Sequence, residues 1–377
     1  MFSGQKRKVC CFCERWESGG IESFLYNVLL HMDLSVIQVD IVAAELAESI
    51  FTESLREHGV RFVELSGAQR KFGENHRLFK KLLQKEQYDV VHLNIFHGLS
   101  LYYARLTEQA GVPVRIAHSH NTALRKSVGR PLKLMLHNAA KKLFTGSATD
   151  LWACSETAAK FLFSKRCLEH KGFQFIPNGI DMERFRFDPA ARMQIRKELG
   201  LENELLVGSV GRLCYQKNQD FLLDVFAELY RREPESRLLL VGEGEAETGL
   251  RQKAERLGIA EAVIFYGTSS RAERLLWAMD VFAFPSRFEG LGIAAIEAQA
   301  AGLPVVASEG VPEETRITPP FQRVELGAGP AQWAEALLDI HTETRAACAE
   351  KVRCAGFDIA DTVRKIEGCY MRVGTHG

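Results

Sequence analysis

Residues Phe284 to Ser308 read F-P-S-R-F-E-G-L-G-I-A-A-I-E-A-Q-A-A-G-L-P-V-V-A-S. An apolar strand ends at Pro285. A loop then holds Glu289, Gly290, Leu291 and Gly292, and a helix follows with Glu297 near its middle and Gly302 at its end. Another strand opens at Pro304. Strand, short loop, helix and strand in this order form the unit of a parallel sheet covered on its faces. The two loop glycines let backbone N–H groups come close to a ligand, and the N–H groups at a helix start favour an anion such as a diphosphate. Glu289 and Glu297 stand eight residues apart. Two carboxylates facing one ligand suit the hydroxyls of a sugar and of a ribose, because a carboxylate accepts from paired hydroxyls. Taken alone, the pattern equally fits an ordinary strand–loop–helix joint with two solvated glutamates.

The same alternation extends in both directions. Upstream, short Val/Ile-rich runs at 9–13, 36–42, 60–65, 89–93, 114–118 and 151–154 predict strands, with helical periods at 21–31, 74–87, 99–109 and 131–144 between them. The stretch Pro177-Asn178-Gly179-Ile180-Asp181 interrupts this series. Strands then restart at 205–210, 237–241, 262–266, 281–285 and 304–307, with helices at 219–231, 245–257, 271–279 and 293–301. Helices at 333–338, 345–354 and 358–371 end the chain. At 377 residues the chain exceeds one ordinary core and fits two domains. The expected fold class is α/β, with two doubly wound Rossmann-like domains facing a cleft, and ligands bound outside the carboxyl ends of the strands.

Composition excludes several classes. Hydrophobic residues make up 46% and charged residues 25%, as in a water-soluble globular protein. The formal net charge is zero, so nothing global suggests a nucleic-acid partner. No apolar run reaches the length of a membrane span, and the apolar stretch near the N-terminus is too short for a signal peptide. Nine cysteines without paired C-x-x-C units read as free, largely buried thiols in a reducing cytosol. One charge asymmetry stands out. No acidic residue lies between Glu108 and Asp150, while Arg115, Arg125, Lys126, Arg130, Lys133, Lys141 and Lys142 are basic. Leu132, Leu134, Met135, Leu136 and Leu143 share that stretch. It reads as a solvated helix face or as peripheral contact with an anionic membrane surface.

Other candidates follow strands. Gly211-Arg212-Leu213-Cys214-Tyr215-Gln216-Lys217-Asn218 places two cations, Arg212 and Lys217, where they neutralise a diphosphate or decorate a surface. Gly19-Gly20-Ile21-Glu22 joins the first strand to the first helix, where the Gly20 N–H can approach a phosphate and Glu22 favours the helix dipole. In His118-Ser119-His120-Asn121, alternation puts both histidines on one face. A zinc pair would lack acidic or Cys partners there, and spacing does not choose between the two.

These motifs together resemble the retaining glycosyltransferase family numbered four, of GT-B fold, and within it the capsular and exopolysaccharide branch. The resemblance runs through Pro285-Ser286, Glu289-Gly290, Gly292, Glu297-Ala298, Ala301-Gly302 and Pro304-Val305-Val306, with G-R-L-x-x-x-K at Gly211–Lys217, G-G-x-E at Gly19–Glu22 and P-N-G-x-D at Pro177–Asp181. Leu291, where many members have Phe, and Asn218, where Gly is commoner, depart from it. It implies that Glu289 contacts the donor sugar, Glu297 the ribose, and the amides of Gly290, Leu291 and Gly292 the sugar and phosphate. Arg212 and Lys217 hold the diphosphate, and Gly20 approaches it from the first domain. One histidine lies near the reacting carbon, and matching Asn121 to the family's usual Asp favours His120 over His118. The domains expected are 1–180, an acceptor-side domain; 181–356, a nucleotide-sugar domain; and 357–377, a helix crossing back to the first. The expected activity is retaining transfer of a hexose or N-acetylhexosamine from a nucleotide-diphosphate sugar, a UDP-sugar, to a glycan or polyprenyl-lipid-linked acceptor. No metal and no cofactor are expected, no Asp-x-Asp triplet standing at a strand end. The expected location is the cytoplasm, at the inner face of the plasma membrane. A nucleotide-sugar 2-epimerase of similar plan is the rival reading; a sugar phosphorylase and a non-enzymatic binding protein are further ones. A dehydrogenase is disfavoured because Gly242-Glu243-Gly244 lacks the third glycine of the dinucleotide fingerprint.

Overall fold

A computed structural model describes residues 6–122, 130–341, 344–345 and 347–372. The chain divides into two compact units, one of residues 1–179 with 359–377 and one of residues 180–358.

The first unit is built on seven parallel strands: β1 (Arg7–Trp16), β2 (Ile37–Leu46), β3 (Arg61–Glu64), β4 (Val90–Ile95), β5 (Val114–Ser119), β6 (Asp150–Ala153) and β7 (Gln174–Phe175). Their spatial order is β3-β2-β1-β4-β5-β6-β7. The order reverses between β1 and β4, which makes the loops after those two strands the edges of the unit's ligand crevice. β1 is buried from Val9 to Cys13 because helices cover both faces of the sheet. The C-terminal helix Ile359–Tyr370 belongs to this unit: Ile359, Val363, Ile366 and Tyr370 join the core formed by Phe24, Leu25 and Trp152. Gly179 makes that docking possible, since a Cβ there would stand 2.7 Å from the Ile359 Cα.

The second unit has six parallel strands: β8 (Leu206–Val210), β9 (Arg237–Val241), β10 (Val263–Gly267), β11 (Val281–Phe284), β12 (Val305–Ala307) and β13 (Phe321–Arg323). Their order is β10-β9-β8-β11-β12-β13, so the switch point lies between β8 and β11. Leu222, Phe226, Leu238, Leu240, Val281 and Trp333 fill its core.

Departures from the sequence expectation are local. β7 and β13 are edge strands of two and three residues with exposed positions, too short to carry a period. The helix expected at 99–109 opens as a 3-10 turn at Gly98–Leu101 before the α-helix Tyr102–Gln109. The helix expected at 345–354 is confined to Cys348–Val352, followed by an irregular turn in which Gly356 has φ 87°. Short helices at Glu156–Leu162, Lys165–Lys171, Met182–Phe185 and Pro189–Glu198 occupy stretches the periodicity left unassigned. None of the nine cysteines is in a disulfide, and Cys10, Cys11 and Cys13 lie buried in β1.

Candidate active site

In the second unit, the loops after β8 and β11 meet at the switch point. The Arg287 amide donates to the Gln216 carbonyl at 2.8 Å, and the Asn218 side-chain amide donates to the Pro285 carbonyl at 3.1 Å. Glu289, only 5% exposed, is held between them. Lys217 Nζ donates to its Oε1 at 2.7 Å and Gln216 Nε2 to its Oε2 at 3.3 Å. The Lys217 ammonium also sits 4.9 Å from the centre of the Phe284 ring, a cation–π contact that fixes the lysine from the sheet side. Charge-assisted bonds of this kind, in a largely desolvated place, hold a carboxylate in one orientation.

Gly292 precedes the helix Ile293–Ala300 with φ 85°, and a Cβ there would stand 3.0 Å from Phe284 Cε1. Both the backbone angle and the space require glycine. The helix therefore begins abruptly, with its first N–H groups directed away from any intrahelical partner, as an anion site needs. Gly290 and Leu291 are buried in the loop before it, and the Leu291 carbonyl accepts from Thr315 Oγ1. Asn218 adopts the left-handed conformation, φ 60° and ψ 35°, ahead of the helix Gln219–Arg232. That explains Asn where Gly is commoner, because these two residues tolerate αL best.

Glu297 lies within the helix, and burial pushes its carboxyl up to about 7, with Glu273 adding to the shift and Arg184 and Lys217 opposing it. Arg184 donates from Nε to Glu273 at 3.0 Å. Arg212 stands apart from the Lys217–Glu289 pair. Its side chain is 42% exposed and bonds Glu245 at 3.2 Å, a surface ion pair weak enough for an arriving anion to displace.

In the first unit, β4 and β5 pair with Asn94 opposite His118, so His92, Asn94, His118 and His120 share one face. A chain of hydrogen bonds runs through it. Tyr370 Oη meets His92 Nδ1 at 2.7 Å, and His92 Nε2 meets His118 Nδ1 at 3.1 Å. Cys11 Sγ lies 3.7 Å from the same Tyr370 oxygen. His118 is fully buried, its Nε2 without a partner among the described residues, against Phe24 and Trp152. His120, one step beyond β5, is half-buried, 3.9 Å from the His118 ring and bonded through Nε2 to Asn94 Oδ1 at 2.9 Å. Burial holds the His92 and His120 rings down to about 3 and His118 well below its ordinary value. All three are neutral imidazoles at physiological pH. Among the described residues no three His, Cys, Asp or Glu side chains are arranged to hold a metal ion.

Gly20 is exposed, and nothing lies within 4 Å of where its Cβ would be. Nothing among the described residues therefore demands glycine there. Glu22 is not a solvated helix-start charge. It is 2% exposed, and burial pushes its carboxyl up to about 8 against the pull of backbone amides at Glu22, Glu17 and Gly19. Asp181 caps the helix Met182–Phe185 by accepting from the amides of Glu183 and Arg184. The motif around Pro177–Asp181 is thus occupied by docking the C-terminal helix and capping the next one. Gln216 and Asn94 escaped the sequence reading. Lone amides in loops or strands carry no periodic or motif signal, and only their partners reveal them.

Comparison with known proteins decides the family. Residues 191–341 match the family model of glycosyl transferases group 1, and residues 18–184 match that of glycosyltransferase family 4. The Bacillus subtilis glycosyltransferase EpsF is 31% identical over 319 residues, 83% of this chain and 82% of its own. The chain belongs to the family-4 glycosyltransferases. It is a hexosyltransferase of GT-B fold. An Escherichia coli UDP-Gal:alpha-D-GlcNAc-diphosphoundecaprenol alpha-1,3-galactosyltransferase is 31% identical over 60% of this chain and 59% of its own. Among solved structures, Anabaena HepE in complex with UDP and glucose aligns with TM-score 0.77 and 21% identity, covering 97% of this chain and all of that one. WaaG, a glycosyltransferase involved in lipopolysaccharide biosynthesis, aligns with TM-score 0.74 and 18% identity over 97% of this chain and 100% of its own.

Proposed function

We propose that this glycosyltransferase transfers a hexose or N-acetylhexosamine from a UDP-sugar, with retained configuration and without a metal ion, to a glycan or polyprenyl-lipid-linked acceptor in surface polysaccharide synthesis. The observation that carries the reading is the Glu289 carboxylate clamped by Lys217 and Gln216 beside the helix that begins at Gly292. Glu289 orients the sugar. Glu297 accepts from the ribose hydroxyls. Lys217, Arg212 and the amides of Gly290–Gly292 and the helix start stabilise the negative charge that develops on the leaving diphosphate. The bond from the anomeric carbon to the phosphate oxygen breaks while the acceptor oxygen bonds to the same face of that carbon. The acceptor proton passes to the departing phosphate oxygen, so no side-chain nucleophile is needed. By the family resemblance, His120, with His118 as the alternative, is assigned to the reacting carbon and the Gly20 amide to the donor phosphate.

The donor nucleotide is supported by the UDP-Gal-dependent activity of the E. coli relative and by the UDP held by HepE. The E. coli relative's diphosphoundecaprenol substrate supports a lipid-linked acceptor. A second feature agrees with it. In the helix Arg130–Phe144, residues 131–136 are all exposed, among them Leu132, Leu134, Met135 and Leu136, interleaved with the basic Arg130 and Lys133. A basic helix with apolar side chains in water suits peripheral contact with an anionic cytoplasmic leaflet. Arg125 and Lys126, the other cations assigned to that contact, lie outside the described residues. No helix among the described residues is long and apolar enough to cross a membrane.

The test is direct. Purified protein is screened for thermal stabilisation by UDP-, GDP- and other nucleotide sugars. The stabilising donor is then offered with lipid-linked acceptors in the presence of a chelator, and the anomeric configuration of the product is read by NMR. A UDP-sugar, undiminished turnover and a retained linkage are expected. An inverted linkage, or turnover abolished by the chelator, overturns the reading. Co-sedimentation with vesicles that does not depend on anionic lipid overturns the membrane part alone.

A further inference from the structure

The geometry points to Asn94 as a positioning residue that fixes the proton of His120 on Nε2, so that His120 meets its ligand with a bare Nδ1 acceptor. The inference rests on the assignment of His120 to the transfer reaction.

Asn94 is fully buried in β4. Its Nδ2 lies 3.4 Å from the Phe12 carbonyl oxygen in β1, and its Oδ1 lies 2.9 Å from His120 Nε2. Exchanging the two ends of the amide would set an oxygen against the Phe12 carbonyl, two acceptors with no proton between them in a place without solvent. The amide nitrogen therefore faces Phe12 and the amide oxygen faces His120. A carbonyl oxygen can only accept, so the hydrogen of that 2.9 Å bond belongs to His120 Nε2.

A neutral imidazole carries one N–H. With the hydrogen on Nε2, Nδ1 holds a lone pair, and among the described residues Nδ1 makes no hydrogen bond. The ring has no means of taking a second proton cheaply. The groups packed against it are Asn94 from β4, the His118 ring from β5 at 3.9 Å and the Phe24 ring from the helix Gly20–His31 at 5.3 Å. None of these is a carboxylate, and His118 is linked through His92 to Tyr370, so among the described residues that face carries no formal charge. His120 is thereby equipped to accept a hydrogen bond from a hydroxyl of the transferred sugar. It is not equipped to donate a proton to the leaving phosphate.

Three measurements test this on the full-length enzyme. Long-range ¹⁵N–¹H NMR of the imidazoles, assigned with His120→Gln, is expected to show His120 as the neutral Nε2–H tautomer across pH 5 to 8. An Nδ1–H tautomer or an imidazolium in that range overturns the proposal, whatever the activity. In Asn94→Asp the carboxylate still accepts from Nε2 but now favours the imidazolium. The kcat profile should then gain an acidic limb, falling as Nδ1 protonates, with donor affinity at high pH kept within about twofold. A uniform loss of kcat without that limb assigns Asn94 a merely structural role and overturns the positioning role. In Asn94→Ala the tautomer is released, and a fall in kcat of about tenfold with little change in donor KM is expected, the worth of one oriented hydrogen bond. If Asn94→Ala does not fold, the wild-type spectrum and the Asn94→Asp profile still decide. Failure of the assignment on which the inference rests reads differently: His120→Gln would keep full turnover while the wild-type tautomer stayed Nε2–H.

Discussion

The two units share one topology and solve opposite electrostatic problems at their switch points. The face of β4 and β5 in the first unit carries three imidazoles, a tyrosine and an amide without a formal charge, because desolvation holds the rings neutral. The loops after β8 and β11 in the second unit carry Lys217 and Glu289 as a close ion pair, with Glu297, Arg184 and Glu273 nearby. The difference lies in what each place must hold. Neutral dipoles orient hydroxyls at little desolvation cost, whereas a leaving diphosphate needs charge that is already in position before the bond breaks. Where the fold supplies a counter-charge within 3 Å, a buried group can stay charged; where it does not, burial drives the group to its neutral form, imidazoles losing a proton and carboxyls such as Glu22 keeping one.

The sharpest way to break this contrast is at Glu289. Glu289→Gln keeps the shape and removes the charge, and kcat is expected to fall by roughly 10²- to 10³-fold while donor binding, followed by calorimetry, persists. Turnover within tenfold of wild type would show that the ion pair is structural. On the neutral side, Tyr370→Phe strips the partner from His92 Nδ1 and from Cys11 in a fully enclosed place. A loss of about 1–3 kcal/mol in urea unfolding is expected, since a buried polar atom is left unmatched. Gly292→Ala tests the helix start: φ of 85° and the 3.0 Å approach to Phe284 predict a cost of about 1–2 kcal/mol, with weaker donor binding.

The pH dependence rests on buried carboxyls rather than on the buried imidazoles. The rings of His92, His118 and His120 are held neutral by burial, so they contribute no step near neutrality. Glu297 does. Its carboxyl ionises at about 7 in the folded chain against 4.5 when unperturbed. The folded state binds the extra proton between those values. The stability this lends is complete below the unfolded value and is lost as pH rises through about 7. Donor affinity should move the other way, tightening as the carboxylate forms and accepts from the ribose hydroxyls. Glu297→Gln should flatten the affinity curve and remove its own share of the stability loss, leaving the share of Glu22, whose buried carboxyl is pushed up to about 8. If the affinity step survives the substitution, another group is responsible. The smallest effect belongs to Arg212. Its pair with Glu245 is exposed, so Arg212→Ala should change stability by less than about 0.5 kcal/mol while weakening donor binding, whereas a matching loss of stability would make it a structural cation.

Much of this was legible in the chain. The doubly wound class followed from Val/Ile runs alternating with helical periods, and most strand boundaries fell within one or two residues, because a strand buried on both faces must be continuously apolar. β7, β13 and the short helices between residues 156 and 198 were not legible, being too brief to repeat a pattern. Within the site, Glu289, Lys217, Glu297 and Gly292 carried motif signals. Gln216 and Asn94 did not, since an amide has no preferred neighbour in sequence. The choice between His118 and His120 rested on matching Asn121; in the fold His118 is enclosed and His120 half-buried.

By itself, then, the sequence determined the two parallel sheets, their loops and the family, because periodicity and glycine placement are local properties. Only the tertiary structure decided which groups remain charged. That depends on who stands within a few ångströms once water is gone. Lys217 is 72 residues from the carboxylate it pairs with, and His92 is 278 from the tyrosine it bonds.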